Sequence, residues 1–244
     1  IDPTNATAMS CGVFADIADR PSLVLNVDNP SYEMIPAINP SHATAFTKEE
    51  IARNDDGSVR VKVEINLGGE SARELVELLT SQPLSVVEHE MVHGYANTEN
   101  PKTISVVLPK LSSRRVVPLE AQLEFDEDEV FTHTNQGSTF SLESMWAQPY
   151  LSIKDSDEGI LYVGAPETRE YHVTFTNVEA KNIDALAYEV KTPWVNAKRE
   201  LRATDNGVQV IQIVEILKSY ITPREHKSPE FIALQKTLRK YCTR

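Results

Sequence analysis

Long apolar runs are missing from this chain: none of its 244 residues belong to a stretch able to cross a bilayer, and no signal-peptide core is visible at its start. Cysteine is scarce. Cys11 and Cys242 are the only two, one near each end. Two cysteines cannot by themselves build a structural Cys-type zinc site; they either pair, since chain ends often lie close together, or stay as thiols. An excess of positive charge is also missing. Against 24 Lys and Arg stand 36 Asp and Glu, a net charge of −12, which argues against generic nucleic-acid binding through a basic surface. Repeats and low-complexity tracts are absent. A soluble protein is expected. The single sequon, Asn5-Ala6-Thr7, does not decide the compartment, and the start at Ile1 suggests a processed, secreted-effector or polyprotein-derived product.

With 41% hydrophobic residues the chain can bury a substantial core. Residues 1–50 read as an extended arm, broken by Pro3, Pro21, Pro30, Pro36 and Pro40, with one strand from Ser22 to Val27. Thr47-Lys-Glu-Glu50 has the form of a capping box and predicts a short helix start. Asp55-Asp-Gly57 is a turn into Val59, Val61, Val63 and Ile65, which alternate with polar residues as a half-buried strand does. Ser71 to Thr80 predicts a helix with Leu75, Leu78 and Leu79 on one side. From residue 101 onward short strands dominate: 103–108, 115–117, 121–125, 150–153, 160–163, 170–178, 185–190 and 208–214. Tyr171, Val173 and Phe175 alternate with His172, so His172 is expected at the surface. Asp126-Glu-Asp-Glu129 reads as a solvated loop. Ser228-Pro229-Glu230 opens a last amphipathic helix to Tyr241.

The expected fold is α+β and β-rich. A helix-bearing N-terminal half leads to a mainly antiparallel, β-sandwich-like half and a C-terminal helix. The regions are an arm at 1–50, an α+β part at 51–145 and a β-rich part at 146–244, unless all form one compact domain.

One stretch carries chemistry. Pro83-Leu-Ser-Val-Val-Glu-His-Glu-Met-Val-His-Gly-Tyr95 contains His89-Glu90-Met-Val-His93, the HExxH pattern. Random order yields it in roughly one such sequence in 70. As a helix over 84–95 it places His89 and His93 one turn apart, able to share a metal ion, with Glu90 beside them. Leu84, Val87, Met91 and Tyr95 form a stripe for burial on another side. Pro83 and Ser85 suit the helix start, and Gly94 with Asn97 its end.

With uncharged residues at Val86, Val87, Met91, Val92, Gly94 and Tyr95, this dozen-residue stretch resembles the signature of the zincin metallopeptidases. Compact effector and toxin proteases come nearest in size. The resemblance implies a zinc-dependent endopeptidase with Zn2+ on His89 and His93 and Glu90 as general base. A third ligand is required, and the HxxGxxH continuation is absent. Glu120, 27 residues beyond His93, matches the separation seen in zincins with a downstream glutamate; Glu124, Glu129, His133 and the nearby Glu99 are the other choices. Tyr95, His133 and Tyr150 are candidates for donating to the oxyanion. A protein substrate is the implied partner. The departure from the family is that strands, rather than helices, follow the motif.

The competing expectation is a β-rich structural or assembly protein without catalysis, of capsid, matrix or adhesion type, whose partners are other subunits or copies of itself. The proline-studded arm and the strands support it. Asp28-Asn-Pro-Ser-Tyr32 resembles a short segment of some picorna-like virus capsid arms.

Overall fold

The computed structural model describes residues 17–26, 28–111, 118–128, 130–134, 137–140, 142, 144–179 and 183–242, the side chains of 132–134 and 137–138 aside. Its strands are β1 (Pro21–Val24), β2 (Ser31–Met34), β3 (Thr44–Arg53), β4 (Val59–Leu67), β5 (Lys102–Val107), β6 (Leu119–Glu127), β7 (Thr132–Thr134), β8 (Gly137–Thr139), β9 (Leu161–Tyr162), β10 (Glu167–Thr176), β11 (Tyr188–Lys191), β12 (Val195–Thr204), β13 (Gly207–Ile216) and β14 (Tyr220–Ile221). Its helices are α1 (Gly69–Ser81), α2 (Leu84–Tyr95), α3 (Gln148–Ser152), α4 (Pro223–His226) and α5 (Pro229–Cys242). Eight strands form one sheet in the order β11-β12-β13-β10-β3-β4-β6-β5. All its neighbours are antiparallel except β3 and β10, which run parallel at its centre.

Period-two alternation explains why the sheet has one dry face. Val59, Val61, Val63 and Ile65 of β4 stand level with Phe125, Leu123 and Ala121 of β6 and with Ile51 of β3, and all are buried. The same face continues through Val173 and Phe175 into Val210, Val214, Ala197 and Val195. Helices α1 and α2 cover it at one end, where Ala72, Leu75, Met91 and Val92 pack onto Leu119, Leu123 and Val63. At the other end α3 and α5 bring Tyr150, Phe231, Leu234 and Leu238 onto Val195 and Ile216. Burying each of these side chains is worth about 1.5–3 kcal/mol before chain entropy is subtracted. The opposite face is solvated and laced with ion pairs such as Lys48–Glu50, Arg60–Glu124 and Arg202–Glu200, each worth at most about 1 kcal/mol.

The α+β class, the mainly antiparallel sheet and the C-terminal helix agree with expectation. The later strands, however, join the earlier ones in a single sheet rather than forming a sandwich of their own. The boundary expected after residue 50 falls inside β3, and the one after 145 falls inside the 3-10 turn Met145–Ala147. Thr47–Glu50, expected to open a helix, is strand: it pairs with β4 on one side and β10 on the other, and two ladders outweigh a local cap. Residues 150–152, expected as strand, lie in α3. Pro149 occupies its first turn, and Tyr150 and Ile153 turn together into the core. His172 lies on the open face, bonded through Nε2 to Glu170. Residues 115–117 and Cys11 lie outside the described residues; Cys242 is buried, its Sγ 3.8 Å from the Tyr188 hydroxyl.

Three carboxyls sit in the dry face, Glu49, Glu127 and Glu167, and the first is the most perturbed of them. Glu49 of β3 is 2% exposed and accepts a hydrogen bond from the Tyr171 hydroxyl of β10. Burial, with a further push from the Glu127 carboxylate, raises its pKa from 4.5 to about 7. Between those two values the folded chain keeps a proton that the unfolded chain releases, so stability falls as pH rises through this window. The loss is about 3 kcal/mol at pH 8. We predict that Glu49→Gln removes this decline. The variant should be more stable than the parent by roughly 2–3 kcal/mol at pH 8 and indistinguishable from it near pH 4.5, read by denaturant melts. A second prediction concerns Gly207, where an added Cβ would stand 1.8 Å from the Phe175 carbonyl oxygen. Gly207→Ala must break the β10–β13 ladder there and should cost more than about 2 kcal/mol in the same melts.

Candidate functional site

The motif helix forms where the sequence places it. α2 spans Leu84–Tyr95, with Pro83 at the N-cap in extended geometry. Val87 and Val92 are its fully buried residues, Met91 and Tyr95 pack partly against the core, and Leu84, expected in the stripe, is 58% exposed. Val92 takes the place of Leu84 because the helix meets the sheet through its middle and C-terminal turns. His89, Glu90 and His93 therefore fall on the solvent side. The two imidazole centroids are 4.1 Å apart at 46°, as i,i+4 spacing requires.

The other ligand candidates do not meet them. Glu120 lies on β6 between the buried Leu119 and Ala121, and so points to the open face while α2 covers the other. The sheet stands between that carboxylate and the imidazoles. Glu124 shares the open face and is bonded to Arg60 at 3.2 Å. Glu99 is exposed just past the helix. Glu129 lies outside the described residues, and so does the side chain of His133, whose backbone pairs with Ser138 in the β7–β8 hairpin. Among the oxyanion candidates, Tyr95 is half-buried on α2 itself. Tyr150 is fully buried in the cluster under α3 and α5, where burial pushes its hydroxyl pKa up. Among the described residues no three His, Cys, Asp or Glu side chains converge as a metal site. Two imidazoles alone fall short of the three protein ligands that a catalytic zinc takes.

A second feature escaped the sequence reading. Strands β1 and β2 form a ribbon apart from the large sheet. Their register sets Leu23 opposite Tyr32 and Pro21 opposite Met34, so all four share one face. Leu23 is 50% exposed, Tyr32 79%, Met34 58%, and Leu25 just beyond the strand 85%. Only Ser22 to Val27 was expected as strand. Its partner Ser31–Met34 follows a proline and is too short for alternation to stand out.

No family model, no curated protein and no solved structure matches this chain. Among the described residues no helix is long and apolar enough to cross a membrane.

Because His89, Glu90 and His93 are exposed and outside the core, their replacement should leave the fold intact. His89→Ala, Glu90→Ala and His93→Ala are each predicted to shift stability by less than about 0.5 kcal/mol, measured by thermal and urea melts.

Proposed function

We propose that this chain is a β-rich assembly module without catalytic activity, associating with further copies of itself through the apolar face of the β1–β2 ribbon. The observation that carries this reading is that face: Pro21, Leu23, Tyr32 and Met34, side by side and exposed. A lone two-stranded ribbon is at best marginally stable in water, and contiguous exposed apolar groups mark contact surfaces. A copy related by a two-fold axis would lay the same residues against one another, apolar on apolar. The ribbon carries Arg20 beside Asp19, Asp28 and Glu33, so such a pairing can oppose unlike charges at its rim.

A second reading rests on its own observation, the contact of the His89 and His93 rings on α2. On that reading the chain is a zinc-dependent endopeptidase with Glu90 as general base. The exposure of the pair and the position of Glu120 across the sheet favour the assembly reading.

One set of measurements separates the two. Sedimentation across the micromolar range should give a concentration-dependent dimer or larger particle. Leu23→Asp with Tyr32→Asp should give a monomer with an unchanged circular dichroism spectrum. Metal analysis should find less than one zinc per chain, and an unfolded test protein should not be cleaved. A wild-type monomer throughout the range overturns the assembly reading. Cleavage abolished by Glu90→Ala, with one equivalent of zinc lost on His89→Ala, establishes the peptidase.

A further inference from the structure

Two cavities adjoin on the dry side of the large sheet, and Phe140, Leu142 and Leu186 line both. The larger, of about 630 Å³, opens in front of Phe175, Val208 and Val210, and Arg53 also lines it. The smaller, of about 90 Å³, lies where the last turn of α5, with Lys240, Tyr241 and Cys242, passes Arg199 of β12.

Arg199 is 4% exposed, yet each of its partners is neutral. Its Nε donates to Gln212 Oε1 at 2.9 Å and its Nη1 to the Tyr241 carbonyl oxygen at 3.2 Å, and the guanidinium lies over the Tyr188 ring, 5.0 Å from the centroid. Among the described residues no carboxylate pairs with it, and Nη2 has no hydrogen-bond partner. A guanidinium does not shed its proton in a protein, so the charge stays. Neutral acceptors share that charge without balancing it, and a buried charge left unbalanced is strongly destabilising.

A second cation borders the same hollow. Lys240, exposed on α5, donates from Nζ to the Tyr241 hydroxyl at 2.9 Å and lies over that ring, again with no carboxylate partner among the described residues. None of the described residues lining the cavity is Asp or Glu. On a chain of net charge −12 this is a local reversal of sign, and it draws an anion. The volume is that of about three waters in the liquid, room for a single small ion. The free N–H groups of a guanidinium fork suit an oxyanion, and two positive charges favour a dianion over a monoanion.

We infer that this cavity binds one small divalent oxyanion of the phosphate type, held between Arg199 and Lys240 and balancing the arginine's charge. The site is separate from both the ribbon and the histidine helix, and it stands whichever reading of them holds.

Calorimetric titration of the full chain with sodium phosphate at pH 7.5, against sodium nitrate at matched ionic strength, tests this. Phosphate should bind one-to-one and saturably, at least tenfold tighter than nitrate. It should also raise the melting temperature above that in nitrate, with a saturating dependence on concentration. Arg199→Gln should abolish binding. Lys240→Glu changes only an exposed position, so its circular dichroism should match the parent's while phosphate affinity falls at least tenfold. The ribbon variant Leu23→Asp with Tyr32→Asp should bind phosphate as the parent does. Glu143, between the lining residues Leu142 and Ser144 in sequence, lies outside the described residues, and Glu143→Gln should leave the affinity within about threefold of the parent's. Three results overturn the inference: no saturable binding by the parent, binding untouched by Lys240→Glu, or nitrate binding as tightly as phosphate. Binding that appears only in Glu143→Gln would assign the balancing charge to the chain itself and overturn it equally.

Discussion

Nine residues of β3 run parallel to nine of β10, and that seam joins the two halves of the sheet. Outside it every neighbour in the large sheet is antiparallel, and each half is closed by its own helices. A parallel pair cannot be made by a tight turn; here the crossover is the whole chain between residues 53 and 167, helices α1 to α3 included. Loop closure on that scale has to be offset by burial, which is where Ile51, Val173 and Phe175 contribute. The seam also contains the one carboxyl of the dry face that is bonded across it, Glu49 to Tyr171. A charge there is poorly solvated, and burial with the Glu127 carboxylate raises the pKa of Glu49 to about 7. The side-chain bond across this backbone ladder therefore ends on a carboxyl that holds its proton up to about pH 7, and its charge state follows pH.

Much of the fold was legible because burial on one face leaves period-two alternation in the sequence. β4 showed it outright, and β6 did so through Leu119, Ala121, Leu123 and Phe125. Illegibility arose where an inward position is polar. In β3 the inward Thr47 and Glu49 break the apolar alternation, and Thr47 with the outward Glu50 reads as a capping box. In β12 the inward position between Ala197 and Leu201 is Arg199, 4% exposed, which bonds Gln212 and the Tyr241 carbonyl. No local pattern announces a strand whose middle residue is a buried guanidinium. Tertiary partners decide such positions, and they come from 13 and 42 residues away.

The same parity governs the motif helix. Spacing of i and i+4 brings two imidazoles together on any helix, so the pair on α2 says little by itself. A metal site is completed by a residue from another element, and for Glu120 that depends on which side of a strand it occupies. The alternation of β6 already assigns it to the side away from Leu119 and Ala121. Read as a separation in sequence, Glu120 looked well placed; read as strand parity, it belongs to the solvated face with Gln122 and Glu124.

Parity likewise explains why a charge stands at the rim of an apolar cavity. Ile51 lies level with Phe175, and β3 continues for two residues, so Arg53 again faces the helix-covered side. At the last position of the strand its head reaches the ring of Phe131, with the buried Ile51 next beneath it in the row. Filling the cavity with larger side chains would raise packing density. It is bounded instead by smaller residues, Val208 and Val210, on the strand that Gly207 lets approach β10. The register that buries Glu49 beside Tyr171 therefore also opens the space in front of Phe175, and a slip of one residue along the seam would turn Arg53 to the open face and close off both.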